Sequence, residues 1–239
     1  MDARKWNRHS DAFDEQVFNI ARTDLTGILA RYVKSVPASR KSSVLVDLGC
    51  GTGSFIKQFG NRFHEIVGVE FASRTIAHAK KSLRKSTNID WLTMDVEKAA
   101  KIIGPRGDLT ACLNVVTSPD PAKRNRQWNA IARATKPHGY ALIVVPSLES
   151  ELMVHEVSRK SGQTSSHKPT VSGIVRIGDA QQKFFRKDEL IAALTRHGLK
   201  TKRIGRVFYP WAEEGLDQPR GGGTRHPWGW ICLAQRVAA

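Results

Sequence analysis

The stretch Val44-Leu45-Val46-Asp47-Leu48-Gly49-Cys50-Gly51-Thr52-Gly53-Ser54-Phe55 constrains the fold more than any other part of the chain. An apolar, β-branched run stops at Gly49 and helical spacing resumes near Ser54, so the sequence predicts a buried strand, a tight glycine turn and a helix. Glycines at alternate positions let the backbone take φ > 0 and bring bare N–H and C=O groups against a ligand, where a Cβ would collide. The spacing separates ligand classes. A dinucleotide fingerprint needs G-x-G-x-x-G/A, but the position three after Gly51 is Ser54 and the third glycine comes early, at Gly53. A glycine turn that holds no ligand is the competing reading of this stretch alone.

Downstream, strand-like and helix-like runs alternate. Glu65 to Glu70 is an apolar run closed by an acid, and Ile76, Ala79 and Leu83 fall at helical spacing. Asn88 to Val96 reads as a third strand with Asp95 at its far end, where an acid also suits the start of a helix. Leu109 to Val116 reads as a fourth strand, followed by a helix carrying Trp128 and Ile131 that Ser118 and Asp120 are placed to cap. Tyr140 to Val145 is a fifth, as apolar as a strand buried on both faces. Strands alternating with helices predict a doubly wound α/β sheet, in which ligands bind beyond the carboxyl ends of the strands. Gly49, Glu70, Asp95 and Asn114 all fall at those ends. A carboxylate at the second tip can accept both ribose hydroxyls of a nucleoside.

With Asp47 two residues before Gly49, the pattern is D-x-G-x-G-x-G. This resembles motif I of the class I S-adenosylmethionine (SAM) dependent methyltransferases of the small-molecule type. The resemblance covers Val44 to Val145 by motif and the rest by pattern only. It implies a Rossmann-like doubly wound seven-stranded sheet whose last strand is antiparallel between the fifth and sixth, with an N-terminal helical lid and an insertion after strand 5. It assigns SAM, and the product S-adenosylhomocysteine, to Asp47, Gly49, Cys50, Gly51, Gly53, Glu70, Phe71, Asp95, Val96 and Asn114. Glu70 takes the ribose, while Asp95 and the Val96 N–H take the adenine. Trp6 through Asp14 resembles the W-x-x-x-A-x-x-Y-D lid, which adds Trp6 and Phe13, although Phe13 stands where relatives carry Tyr. A single domain follows, with 1–42 as lid helices, 43–146 as cofactor core, 147–185 as acceptor cap and 186–239 as the last helix and strands 6 and 7. Those strands are expected over Thr201 to Tyr209 and Trp230 to Gln235, and a further one over Val171 to Ile177.

The implied reaction is in-line displacement of the sulfonium methyl by an O or N nucleophile of a small molecule. Because SAM is already a good donor, most of the catalysis can come from alignment and exclusion of water. A base is needed only if the acceptor must lose a proton. The candidates are His155 in the cap and Glu213, Glu214 and His226 in the connection before the last strand. No N/D-P-P-Y follows Leu113, which argues against amino-group methylation of adenine, cytosine or glutamine of that type, and no Pro-Cys or Thr-Cys pair supports covalent pyrimidine chemistry. No carboxylate set suggests a metal.

Charge admits a second reading. Against 38 Lys and Arg stand 22 Asp and Glu, a formal +16 over 239 residues. That surplus favours polyanions, so RNA or a protein surface is an alternative acceptor to a metabolite. A SAM-binding regulator without catalysis is the third. The basic residues come in scattered pairs, with no basic tail and no RNP, KH or zinc-finger signature. No apolar run approaches the roughly 20 residues of a membrane span. Cys50, Cys112 and Cys232 are isolated, as reduced packing cysteines are, and the N-terminus lacks a signal-peptide core, so a cytoplasmic location is expected. Monomer and homodimer both stay open.

Overall fold

The computed structural model describes residues 19–160, 162, 170–177, 180–219 and 226–238. Two short helices, α1 (Ile20–Thr23) and α2 (Ile28–Lys34), lead into β1 (Val44–Leu48), whose five residues are all buried. Then follow α3 (Ser54–Phe59), β2 (Glu65–Glu70), α4 (Ser73–Ser82), β3 (Ile89–Thr93), α5 (Val96–Ile103), β4 (Gly107–Leu113), α6 (Pro121–Ala134) and β5 (Thr135–Pro146). After β5 come α7 (Leu148–Lys160), the hairpin strands β6 (Ile174–Ile177) and β7 (Ala180–Lys183), α8 (Lys187–Arg196), β8 (Leu199–Phe208) and β9 (Trp228–Arg236).

Seven strands form one sheet in the order β3-β2-β1-β4-β5-β9-β8. β1 to β5 are mutually parallel, and β9 runs antiparallel between β5 and β8. This is the Rossmann-like methyltransferase architecture that the motif implied. Alternate side chains of each buried strand serve opposite cores. Val46, Leu48, Val69, Ile143 and Trp230 pack with α6 and α8, whereas Leu45, Ile66, Leu142, Val144 and Ile231 pack with α2 and α3. The chain turns from the β2 side to the β4 side at β1, and this switch point is where a doubly wound sheet opens a crevice.

Helix starts follow local chemistry. At α6 the Asp120 carboxylate accepts the N–H groups of Ala122 and Lys123 at 2.9 and 3.2 Å, with Pro121 where no N–H is needed. Ser118 Oγ accepts the Asp120 N–H in turn.

Several boundaries differ from the sequence reading. β5 starts at Thr135, not Tyr140, because the register with β4 jumps from Gly107↔Thr135 to Leu109↔Tyr140 and the residues between loop out. Lys136 Nζ within that loop is fixed 2.7 Å from Asp108 Oδ2. β8 starts at Leu199, ahead of the expected Thr201, and stops at Phe208, short of Tyr209, while β9 passes its expected span at both ends. Val171 is 94% exposed in a turn ahead of β6, closed by the Gly173 N–H on Thr170 O.

The segment after β5 is tied down at several points. The Lys183 N–H donates to Thr117 O and the Phe185 N–H to Pro146 O, while the Leu148 N–H donates to Phe185 O. The return of the β6–β7 hairpin is thereby stitched to the chain just past β4 and β5. Lys183 is buried, its Nζ 2.6 Å from Ser172 O and 2.7 Å from Glu189 Oε2, over the Phe185 ring.

Candidate active site

The tips of β1, β2, β3 and β4 lie along one edge of the sheet, because the four strands are parallel and adjacent. Past β1, Gly49, Gly51 and Gly53 all have positive φ, at 80°, 53° and 81°. The Gly49 and Cys50 N–H groups both donate to Val69 O at 2.8 Å, which clamps the turn to β2. A Cβ on Gly49 would overlap Val115 Cγ2, and one on Gly53 would sit 2.8 Å from Leu83 Cδ1. At Gly49 both packing and φ require glycine, whereas at Gly53 the Leu83 methyl can swing aside and φ is the main reason. The turn ends in α3, where Asn19 Nδ2 donates to Ser54 Oγ at 2.8 Å.

Glu70 reaches this turn from the neighbouring strand. Its Oε2 accepts the Gly51 N–H at 3.2 Å and its Oε1 the Ala72 N–H at 2.9 Å, and the residue is 6% exposed. Burial raises its carboxyl above the usual range, and the backbone donors at Ala72, Gly51 and Phe71 pull it back down. Three backbone donors leave about one of the carboxylate's four acceptor sites open, so the residue can still take a ribose hydroxyl, the role expected of it.

Asp47 is 2% exposed, and its Oδ2 is buried without a hydrogen-bond partner. Burial, and next the charge of Glu70, push its carboxyl up to about 7. The Cys50 and Cys112 thiols are raised by burial and then by Asp47, which keeps them neutral and unreactive. All three described cysteines are free and buried.

Asp95 is exposed at the start of α5, but its side chain makes no cap bond, so it is free for a ligand. Val96 is the first residue of that helix, and Phe71 lies half-buried beyond β2. Asn114 follows β4 with φ 56°, a left-handed conformation that a non-glycine residue seldom takes, held by its N–H on Val144 O at 2.9 Å. Trp6 and Phe13 lie outside the described residues.

The base candidates separate. β8 runs parallel to β5, so the connection leaving it emerges at the same edge of the sheet, on the β4–β5 side. Glu213 is exposed there on a short 3₁₀ turn (Trp211–Glu214). Glu214, on the same turn, accepts the Tyr209 hydroxyl at 2.7 Å. Burial raises the Glu214 carboxyl, and that hydrogen bond moderates the rise. Tyr209 is itself raised well above its usual value by burial, then by Glu214. His226 is half-buried beside β9, with its Nδ1 unpartnered, and His155 is half-buried on α7.

Tyr209 and Ser150 are the residues that the sequence reading missed. The Ser150 hydroxyl contacts Tyr209 and accepts the Trp228 N–H at 2.8 Å, which ties α7 to β9. A tyrosine just past the end of a strand and followed by Pro210 is the one local signal for Tyr209, and nothing in the sequence pairs it with Glu214.

Comparison with known proteins fits this geometry. Residues 45–139 match the family model of the methyltransferase domain, from β1 to the loop inside β5. The core of this chain, residues 45–139, resembles a methyltransferase domain. Its curated relatives include a ubiquinone biosynthesis O-methyltransferase of Alkalilimnicola ehrlichii, 26% identical over 121 residues, or 50% of this chain and 48% of that protein. The chain thus matches about half of that relative's length. Among solved structures, the N-methyltransferase NodS of Bradyrhizobium japonicum, in complex with S-adenosylhomocysteine, has a TM-score of 0.66 at 13% identity over 100% of both chains. The 1,6-didemethyltoxoflavin N1-methyltransferase of Burkholderia thailandensis has the same TM-score at 13% identity, over 99% of this chain and 87% of that one. At such identities the likeness shows that the methyltransferase domain shares their fold. No described helix is long and apolar enough to cross a membrane.

Proposed function

We propose that the chain is a SAM-dependent methyltransferase acting on an O or N nucleophile of a small molecule. One observation carries the cofactor site. The carboxylate at the tip of β2 closes onto the backbone of the glycine turn at the tip of β1, with the open Asp95 next to it at the tip of β3. When bound, SAM supplies an electrophilic methyl group on sulfur. Glu70 accepts ribose hydroxyls, Asp95 and the Val96 N–H receive the base, and the glycine turn presents its backbone. Asn114 borders the acceptor side. Glu214, oriented by the Tyr209 hydroxyl, is the group best placed to receive a proton there, since burial makes its carboxylate a stronger base than an exposed one. The O-methyltransferase relative and the two N-methyltransferase neighbours, one of them solved with bound 1,6-didemethyltoxoflavin, support this acceptor class.

The second reading, methylation of RNA or of a protein surface, has its own observation. From Phe71 to Ile89 the chain holds no acid, while the end of α4 and the turn after it expose Lys80, Lys81, Arg84 and Lys85. Calorimetry with SAM tests the cofactor site, and labelled SAM offered with a metabolite extract or with RNA separates the acceptors. Glu70→Ala is expected to abolish SAM binding while the fold is retained by circular dichroism. Unchanged affinity in that variant refutes the site.

A further inference from the structure

We propose that Asp47 makes ligand binding in the glycine turn proton-linked. A positively charged ligand enters as the Asp47 carboxyl releases its proton to solvent, whereas an uncharged nucleoside leaves that proton in place. The proposal rests on the reading of the turn as the SAM site.

Three observations carry it. Asp47 is the only ionisable residue of β1, enclosed between Gly68 of β2 and Ala111 of β4. Its Oδ2 has no donor, whereas both oxygens of the neighbouring Glu70 are held by backbone N–H groups. Of the two buried carboxyls, Glu70 therefore has its charge stabilised and Asp47 does not. The titratable groups that face Asp47 are Glu70 at the tip of β2, the Cys50 thiol in the turn and the Cys112 thiol of β4, with Asp95 facing Glu70 in turn. None of these described groups is a cation. A buried carboxylate with an unmade hydrogen bond and an anion beside it is costly, and taking up a proton removes that cost.

A ligand that brings positive charge reverses the balance. Opposite charge within about 4–6 Å lowers a carboxyl by roughly 1–3 pH units. SAM has two positive centres, its sulfonium and its ammonium. With the ribose at Glu70, the β1–β4 side of the turn, where Asp47 lies, is left for that charged half. The Asp47 O–H bond breaks heterolytically, the proton goes to buffer, and the carboxylate is retained opposite the ligand. The raised Asp47 carboxyl places this exchange near neutrality.

Isothermal titration of the full chain with SAM at pH 6, in two buffers of different ionisation enthalpy, counts the protons released. At that pH the amino group of the ligand is already protonated, so any release comes from the protein. About half a proton or more is expected with wild type, and close to none with 5′-methylthioadenosine, which has the nucleoside but neither positive centre. Asp47→Asn should bind SAM with the release lost. If that variant binds too weakly to titrate, the contrast between the two ligands on wild type decides. SAM binding without release, equal release with both ligands, or undiminished release in Asp47→Asn overturns the linkage and leaves the cofactor site standing. Failure of wild type to bind SAM at all overturns the site reading, and the linkage falls with it.

Discussion

Replacing Gly49 by Ala separates two reasons for the glycine that act at one atom. The first is backbone strain, since φ is 80° and an L-residue in the left-handed region costs about 1–2 kcal/mol. The second is overlap, because the new methyl would fall on Val115 Cγ2 and Val is stiff at χ1, so relief needs a shift in the loop after β4 at a typical overpacking cost of about 1–3 kcal/mol. Together they predict a loss of about 2–5 kcal/mol, or roughly 5–15 °C in Tm for a chain of this size. A double-mutant cycle with Val115→Ala tells them apart. The second substitution makes room for the methyl but does nothing for φ, so Gly49→Ala should cost only the strain in that background. The coupling free energy from urea unfolding is then about 1–3 kcal/mol, with the double variant more stable than the sum of the singles. Additivity within about 0.5 kcal/mol would show that Val115 is not what excludes a side chain there.

Other substitutions test the buried charges. Without ligand, the Asp47 carboxyl holds its proton up to about 7 in the folded chain, against an ordinary 3.8. Its stabilising share is therefore complete below pH ~4 and lost as pH rises through about 7, so Asp47→Asn should differ little from wild type at pH 4 and be more stable by up to about 4 kcal/mol at pH 8. Urea unfolding at the two pH values checks this, and a pH-independent difference refutes it. At the hairpin anchor, Glu189→Gln should destabilise more than Lys183→Met. The first leaves a buried cation without its counter-charge, a loss of up to about 3–5 kcal/mol, while the second leaves a carboxylate that water can reach, at about 1–2 kcal/mol. The reverse order in thermal unfolding would show that the pair is not what holds β7 against α8.

What the sequence made legible was local or periodic. The strand, turn and helix of residues 44–55 follow from apolar patterning and glycine placement, each decided within a few residues. Apolar runs marked β1 and the body of β5 as buried strands, and the alternation of elements gave the doubly wound sheet. The positions of Gly49, Glu70, Asp95 and Asn114 at strand ends were readable for the same reason. Where β5 begins was not, because the loop of Lys136 to Gly139 exists only by its register against β4 and the grip of Lys136 on Asp108.

The chain by itself thus determined which segments become strands and helices and, through their alternation, which edge of the sheet carries the ligand, since both follow from short-range pattern. Only the tertiary structure decided which polar atoms meet. Glu70 closes on Gly51 from the next strand, Tyr209 finds Glu214 above the far strands, and Lys183 is drawn under Glu189. It also left Asp47 Oδ2 without a donor. Hydrogen bonds and buried charges depend on distances of a few ångströms between elements, and pattern along the chain does not encode those distances.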